Sequence, residues 1–237
     1  INTCIGCNQA CLDHTFSLQI TSCLVNPQAC HETILTIDPT PTRRRIAVVG
    51  SGPGGLACAV TAARRGHDVT LFEADDQIGG QFNYAAQIPG KEEFHETLRY
   101  FRVALADAGV DVQLGRRVGA ADLTDFDEVV LATGVTPRIP DVPGIDHPKV
   151  VTYLDVLRDH VSVGSTVAIM GAGGIGFDVA EYLTQSGPSA TSPSPATTPS
   201  RRKTSPYVGE RSSAAKGMLS TIFISTHRTP WSCSRRG

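Results

Sequence analysis

The chain has 237 residues, of which 41% are apolar and 19% are charged, so it can bury a core as one large domain or two small ones. Its formal net charge of −2 gives no basis for nucleic-acid binding. No apolar run approaches the roughly 20 residues of a membrane helix, and no signal peptide is evident. We therefore expect a cytoplasmic protein with no nucleic-acid partner and no membrane partner.

The first feature along the chain is a cysteine-rich segment over residues 1–32, which holds five of the seven cysteines. Four of them follow the pattern C-x2-C-x3-C-x11-C: Cys4, Cys7, Cys11 and Cys23. Four thiolates can enclose a 4Fe-4S cluster, with one cysteine for each iron. The alternatives are structural zinc, which more usually pairs two CxxC knuckles, and a pair of disulfides. Spacing favours the cluster over zinc.

Strands and helices alternate after a linker over residues 33–45. Short β-branched runs predict the strands Ile46–Val49, Val69–Glu73, Val110–Leu114, Glu128–Thr133 and Thr166–Met170. Apolar residues at helical spacing predict the helices Pro53–Arg65, Lys91–Ala108, Tyr153–His160 and Gly174–Gln185. This alternation predicts an α/β fold, Rossmann-like, with a largely parallel sheet.

A glycine-rich loop joins the first predicted strand to the first predicted helix. Its glycines are Gly50, Gly52, Gly54 and Gly55. In a dinucleotide-binding loop, one glycine allows the tight turn, the next lets the pyrophosphate approach, and a later one permits close helix–strand packing. The helix N-terminus then faces the phosphates. Glu73, at the end of the next strand, is placed to accept hydrogen bonds from ribose hydroxyls.

A second strand, glycine loop and helix begins at Val167. Its loop residues are Gly171, Gly173, Gly174, Ile175 and Gly176. Two such loops in one chain resemble the flavin disulfide-reductase-like enzymes, in which the first holds FAD and the second holds NAD(P)H. Between the loops, Thr133 and Gly134 end a strand that resembles the second FAD contact of that superfamily.

Residues 187–237 differ from the rest of the chain because Ser, Thr and Pro dominate them. Eight Lys and Arg against one acid give this stretch a net charge of about +7. Only Met218 to Ile224 is dense in apolar residues. We predict a low-complexity tail that is disordered or frame-shifted.

Several stretches resemble the bacterial NADPH-dependent 2,4-dienoyl-CoA reductases, iron–sulfur flavoenzymes of the old yellow enzyme/trimethylamine dehydrogenase-like group. They are the cysteine motif, residues 21–27, 29–32, 79–83, 87–94 and 144–149. Three residues between Cys7 and Cys11 favour this family over the trimethylamine dehydrogenases, which typically have two. The resemblance covers residues 1 to about 186.

The resemblance implies an electron chain in unsaturated fatty-acid β-oxidation. NADPH reduces FAD, and electrons pass through a 4Fe-4S cluster to FMN, which reduces an acyl-CoA substrate. It implies FAD contacts at Gly54, Glu73, Gln81 and, through its backbone, Val118. The barrel that holds FMN and substrate is absent from the sequence, so no catalytic residue is assigned and we expect no activity from the chain alone.

The implied domains follow the chain. They are the cluster segment 1–32, the linker 33–45, the FAD-binding domain 46–150, an incomplete NAD(P)H-binding domain 151–186 and the tail 187–237. Two alternatives stay open at this stage. One is a stand-alone flavin and iron–sulfur electron-transfer module, and the other is a fragment of a related amine dehydrogenase or enoate reductase.

Overall fold

The structure of the protein, a computed structural model, describes residues 1–185 and the strand 222–225. The chain divides into two compact units, residues 1–136 and residues 137–237. In the described part of the chain, no helix is both long enough and apolar enough to cross a membrane.

The cysteine segment is mostly loop and contains one short helix, α1 (Leu12–Phe16). No residue of α1 is buried, and Phe16 is 82% exposed. The linker that follows is tied to the end of the next helix. The Thr40 N–H donates to the Arg65 carbonyl oxygen at 2.7 Å, and Arg65 Nε donates to the Asp38 carbonyl oxygen at 3.2 Å. These bonds fix the direction in which the chain enters the first strand.

Four parallel strands form the sheet of the first unit. They are β1 (Arg45–Val49), β2 (Asp68–Phe72), β3 (Asp111–Gln113) and β4 (Glu128–Leu131), in the spatial order β3-β2-β1-β4. On the central strand β1, Ala47 and Val48 are fully buried, as expected of a parallel strand that is covered on both faces. The prediction of a parallel α/β sheet is confirmed for this unit.

Helices pack on this sheet and place its glycine loop. They are α2 (Pro53–Arg64), α3 (Phe82–Ala85) and α4 (Glu93–Asp107). Helix α2 begins at Pro53, whose fixed φ suits the first helical position. It ends before Gly66, which has a φ of +97° and donates its N–H to the Ala63 carbonyl oxygen at 2.9 Å. Leu56 of α2 and Leu105 of α4 join one core with Leu71 of β2.

Where the structure describes the second unit, it has a small sheet and two helices. Its elements are β5 (Val150–Thr152), α5 (Tyr153–Leu157), β6 (Val167–Met170), α6 (Gly174–Thr184) and β7 (Ile222–Ser225). The Thr152 side chain caps α5 by accepting from the Asp155 N–H at 3.3 Å. Helix α5 ends at Leu157, three residues before the predicted end, and His160 has a φ of +52°.

The second sheet has the order β5-β7-β6, and β7 runs antiparallel to both neighbours. Strand β7 begins within the apolar run from Met218 to Ile224 of the predicted low-complexity tail. Predictions for residues 187–221 and 226–237 lie outside the described residues.

Candidate dinucleotide-binding site

The first glycine loop requires two of its glycines for steric reasons. Gly50 has a φ of +102°, and a Cβ built on it would lie 2.3 Å from the Ala132 carbonyl oxygen. A Cβ on Gly55 would lie 1.9 Å from the Gly50 carbonyl oxygen. Both distances are far below van der Waals contact. The N-terminus of α2 can therefore approach the end of β1 only because these positions lack side chains.

Space for a ligand opens at the other two glycines of this loop. Gly52 is the N-cap of α2, and a Cβ on Gly52 or Gly54 would meet no atom within 4 Å. No side chain caps the helix, and Pro53 brings no N–H of its own. The donors of the first turn that point along the helix axis are the N–H groups of Gly54 and Gly55. Such an open, uncapped N-terminus fits a pyrophosphate.

Glu73, the residue after β2, is held beside the loop by hydrogen bonds to both of its carboxylate oxygens. Oε2 accepts from the Ser51 N–H at 2.7 Å and from the Ser51 hydroxyl at 2.6 Å, and Oε1 accepts from the Asp75 N–H at 3.0 Å. Partial burial raises the pKa of Glu73, but these donors lower it further, so the pKa lies below its ordinary value. The carboxylate is ionised and oriented, as a ribose hydroxyl requires of its acceptor.

A turn at Gly79 and Gly80 packs over the loop. The Gly79 N–H donates to the Ser51 carbonyl oxygen at 2.9 Å, and a Cβ on Gly80 would lie 3.4 Å from the Gly52 Cα. Gly79 has a φ of +121°, a conformation that favours glycine. Gln81 follows this turn and is exposed. The structure thus places Gln81 next to the loop, and its flavin contact stays a prediction.

Two further segments reach the same end of the sheet. The Arg116 N–H donates to the Glu73 carbonyl oxygen at 2.8 Å, which holds the segment that leads to the half-buried Val118. Thr133 directly follows the Ala132 backbone against which Gly50 packs, and its Cα would lie 3.0 Å from a Cβ on Gly50. Gly134 then turns the chain with a φ of +73°. The adenine contact of Val118 stays a prediction.

The second glycine loop repeats this local geometry in the second unit. Gly171 directly follows β6 and has a φ of +115°, and Gly173 is the N-cap of α6. A Cβ on Gly173 or Gly174 would meet no atom within 4 Å, as at Gly52. In the first turn of α6, Ile175 is half-buried and Gly176 is buried. The loop therefore offers the same open helix N-terminus to a second dinucleotide, which stays a prediction.

The cysteine segment brings parts of its motif together through the backbone. Gly6, with a φ of +64°, donates its N–H to Cys4 Sγ at 3.4 Å. The Ser22 N–H donates to the Ala10 carbonyl oxygen at 2.8 Å, which fixes the residue before Cys23 beside the residue before Cys11. All four motif cysteines are free thiols, so the structure contains no disulfide between them.

Side-chain placement does not by itself define a metal centre in this segment. The described residues contain no group of three Cys, His, Asp or Glu side chains placed to hold a single metal ion. A loop with a backbone donor aimed at the Cys4 sulfur is compatible with a cluster cage, in which each cysteine binds a separate iron. The assignment of Cys4, Cys7, Cys11 and Cys23 to a 4Fe-4S cluster stays a prediction.

Ser51 is the site residue that sequence analysis missed. It is fully buried, and it joins the glycine loop to Glu73 and to the Gly79 turn. The sequence carries no signal for this role, because the position between the first two glycines of such a loop requires only a small side chain.

Comparisons with known proteins agree with this geometry. The sequence matches the family described as pyridine nucleotide-disulphide oxidoreductase over residues 44–208. It is 40% identical to a metal reductase of Desulforamulus reducens, over 79% of this chain and 29% of that protein. It is 37% identical to the N,N-dimethylglycine/sarcosine dehydrogenase of Chromohalobacter salexigens, again over 79% of this chain and 29% of the relative.

A solved structure extends the comparison to the fold. The structure of 2-naphthoyl-CoA reductase in complex with 2-naphthoyl-CoA matches with a TM-score of 0.69 and 33% identity, over 76% of this chain and 28% of that one. The chain thus spans about three tenths of the length of these relatives. The chain belongs to the pyridine nucleotide-disulphide oxidoreductase family and is an FAD-dependent oxidoreductase module of the kind found in old yellow enzyme-like and trimethylamine dehydrogenase-like enzymes.

Proposed function

We propose that the chain is the redox module of an NADPH-dependent 2,4-dienoyl-CoA reductase, and that it delivers electrons to an FMN barrel outside these 237 residues. One observation carries the proposal. The cysteine motif and the first glycine loop, which would hold FAD, both lie in the same compact unit, residues 1–136. The x3 spacing of the motif favours an acyl-CoA reductase of this type, and a relative named as a naphthoyl-CoA reductase has a similar structure.

The residues of the chain have distinct tasks in this function. When bound, FAD and a 4Fe-4S cluster supply the conversion of hydride transfer into single-electron steps. The N-terminus of α2 binds the pyrophosphate, and Glu73 accepts hydrogen bonds from the ribose. The Gly6 N–H offsets negative charge on the Cys4 sulfur, an effect that makes a cluster easier to reduce. Gly173 and its loop bind NADPH.

Iron binding should depend on the four motif cysteines and not on the fifth cysteine of the segment. Anaerobic reconstitution of the chain should give about four irons and four sulfides, one iron for each motif thiolate. Cys11→Ser should lose most of this iron because the cage loses one corner. Cys30→Ser is the matched control, because Cys30 is an exposed free thiol of the same segment. This variant should keep the full iron content. Stoichiometric zinc without sulfide would contradict the assignment.

Substrate identity is tested on the longer protein. Sequencing of the genomic DNA upstream of Ile1 should reveal an FMN barrel in the same reading frame. The protein encoded there should oxidise NADPH in the presence of 2,4-dienoyl-CoA, whereas residues 1–237 alone, reconstituted with FAD and cluster, should not exceed a cluster-free control. Turnover of N-methylated amines or of cinnamate in place of 2,4-dienoyl-CoA would overturn the substrate assignment. Turnover by the 237 residues alone would show that they contain the substrate site.

A further inference from the structure

Among the buried polar residues that the structure describes, Ser51 stands out because its N–H, its hydroxyl and its carbonyl oxygen all form hydrogen bonds around the first glycine loop. Its hydroxyl and its N–H both donate to Glu73 Oε2, at 2.6 and 2.7 Å, and its carbonyl oxygen accepts from the Gly79 N–H at 2.9 Å. Its exposure is 0%. Most buried hydroxyls in proteins have a hydrogen-bond partner, and a hydrogen bond to a carboxylate is about twice as strong as one between neutral groups.

The geometry points to Ser51 as a positioning residue for FAD. Its hydroxyl holds the Glu73 carboxylate in the orientation that receives the ribose hydroxyls. Its carbonyl oxygen holds the Gly79 turn over the space that the pyrophosphate needs at Gly52. The inference rests on FAD as the occupant of the first glycine loop, and it is independent of which substrate the whole enzyme reduces.

The surroundings of Glu73 indicate why this hydroxyl matters. The neighbouring charged residues act through their backbones: Asp75 donates its N–H to Oε1, and Arg116 donates its N–H to the Glu73 carbonyl oxygen. The Arg116 guanidinium lies over the Phe72 ring, 5.1 Å from its centre. The carboxylate oxygen that faces the glycine loop, Oε2, is therefore stabilised by Ser51. The Ser51 hydroxyl is the one side-chain donor that lowers the pKa of Glu73.

The sign of the pH dependence follows from this lowered pKa. A carboxylate with a depressed pKa in the folded state contributes its stabilisation above the pKa of the unfolded chain, and loses it as pH falls through the folded pKa. Loss of the Ser51 hydroxyl raises the pKa of Glu73 toward its ordinary value. A ribose that needs the ionised acceptor is then released at a higher pH than in the parent protein.

The test is FAD affinity as a function of pH, measured by quenching of flavin fluorescence in the full chain. Ser51→Ala should weaken FAD binding by about tenfold at pH 7, the usual effect of one lost hydrogen bond to a charged group. It should also move the acid midpoint of flavin release to higher pH. Ser51→Cys has a similar shape, with a slightly larger sulfur and only a weak donor, so it should behave like Ser51→Ala if the hydroxyl is what matters. Circular dichroism of the apo-proteins checks folding.

A double-mutant cycle separates positioning from packing. In a Glu73→Ala background, Ser51→Ala should change FAD affinity by less than twofold, because the acceptor of the hydroxyl is already lost. An equal loss in both backgrounds would overturn the inference, as would parent-like affinity and acid midpoint in Ser51→Ala. If Ser51→Ala does not fold, Ser51→Cys in the parent and in the Glu73→Ala background decides by the same criteria. All of these measurements report on flavin binding. A negative result would therefore overturn the role of Ser51 without bearing on the proposed dienoyl-CoA reaction.

Discussion

Alanine at Gly55 should destabilise the apo-protein by about 3 kcal/mol or more, a large part of the 5–15 kcal/mol that is typical of a domain. The new Cβ would lie 1.9 Å from the Gly50 carbonyl oxygen, and the atom it meets is backbone. Alanine gains about 1 kcal/mol over glycine within a helix, which is too little to offset this clash. The start of α2 must then move away from β1. Urea denaturation followed by circular dichroism measures the effect.

The adjacent glycine provides a matched control for this experiment. Gly54 lies in the same helical turn, and a Cβ there would meet no atom within 4 Å. Gly54→Ala should therefore leave the stability of the apo-protein unchanged or raise it by up to about 1 kcal/mol. If Gly55→Ala were as stable as Gly54→Ala, the close helix–strand approach would not exist in solution.

Valine at Gly52 should abolish flavin binding and leave the apo-fold intact. Gly52 has a φ of −65° and a ψ of 174°, which an L-residue adopts without strain, and no atom lies within 4 Å of a Cβ there. The space that the valine would fill is the space that the pyrophosphate needs. Purified variant and parent should thus have equal unfolding midpoints, and the variant should lack the flavin absorbance bands.

The second loop supplies the comparison for this variant. Gly173 is the N-cap of α6 and has equally open surroundings. Gly173→Val should keep the FAD content of the parent, because only the second loop is altered. Unchanged flavin absorbance in Gly52→Val, or an equal loss of flavin in Gly52→Val and Gly173→Val, would contradict the assignment of FAD to the first loop.

The sequence was most informative where structure follows from local pattern. The buried β-branched run after the linker predicted β1 to within one residue, and Gly66 correctly marked the end of α2 because only glycine adopts its φ cheaply. Short elements escaped prediction. Helices α1 and α3 have five and four residues, too few to form without tertiary contacts.

Local sequence pattern could not predict contacts between residues that lie far apart in the chain. Strand β7 lies in a stretch rich in Ser and Pro, and its pairing with β5 and β6 depends on residues about 50 to 70 positions away. The role of Ser51 likewise depends on Glu73, which lies 22 positions later in the chain. Nothing in the neighbourhood of Ser51 along the sequence distinguishes its hydroxyl from that of any other loop serine.

The placement of β4 beside β1 has a consequence for how the chain reaches its native state. The Arg45 N–H donates to Asp127 Oδ2 across a separation of 82 residues, whereas β1 and β2 are joined by a single helical crossover. Closing the longer loop carries the larger entropic cost, so β1, α2 and β2 can associate early and β4 joins them late. The Gly50 turn packs against Ala132, just after β4, so the nucleotide loop gains its final support only in that late step.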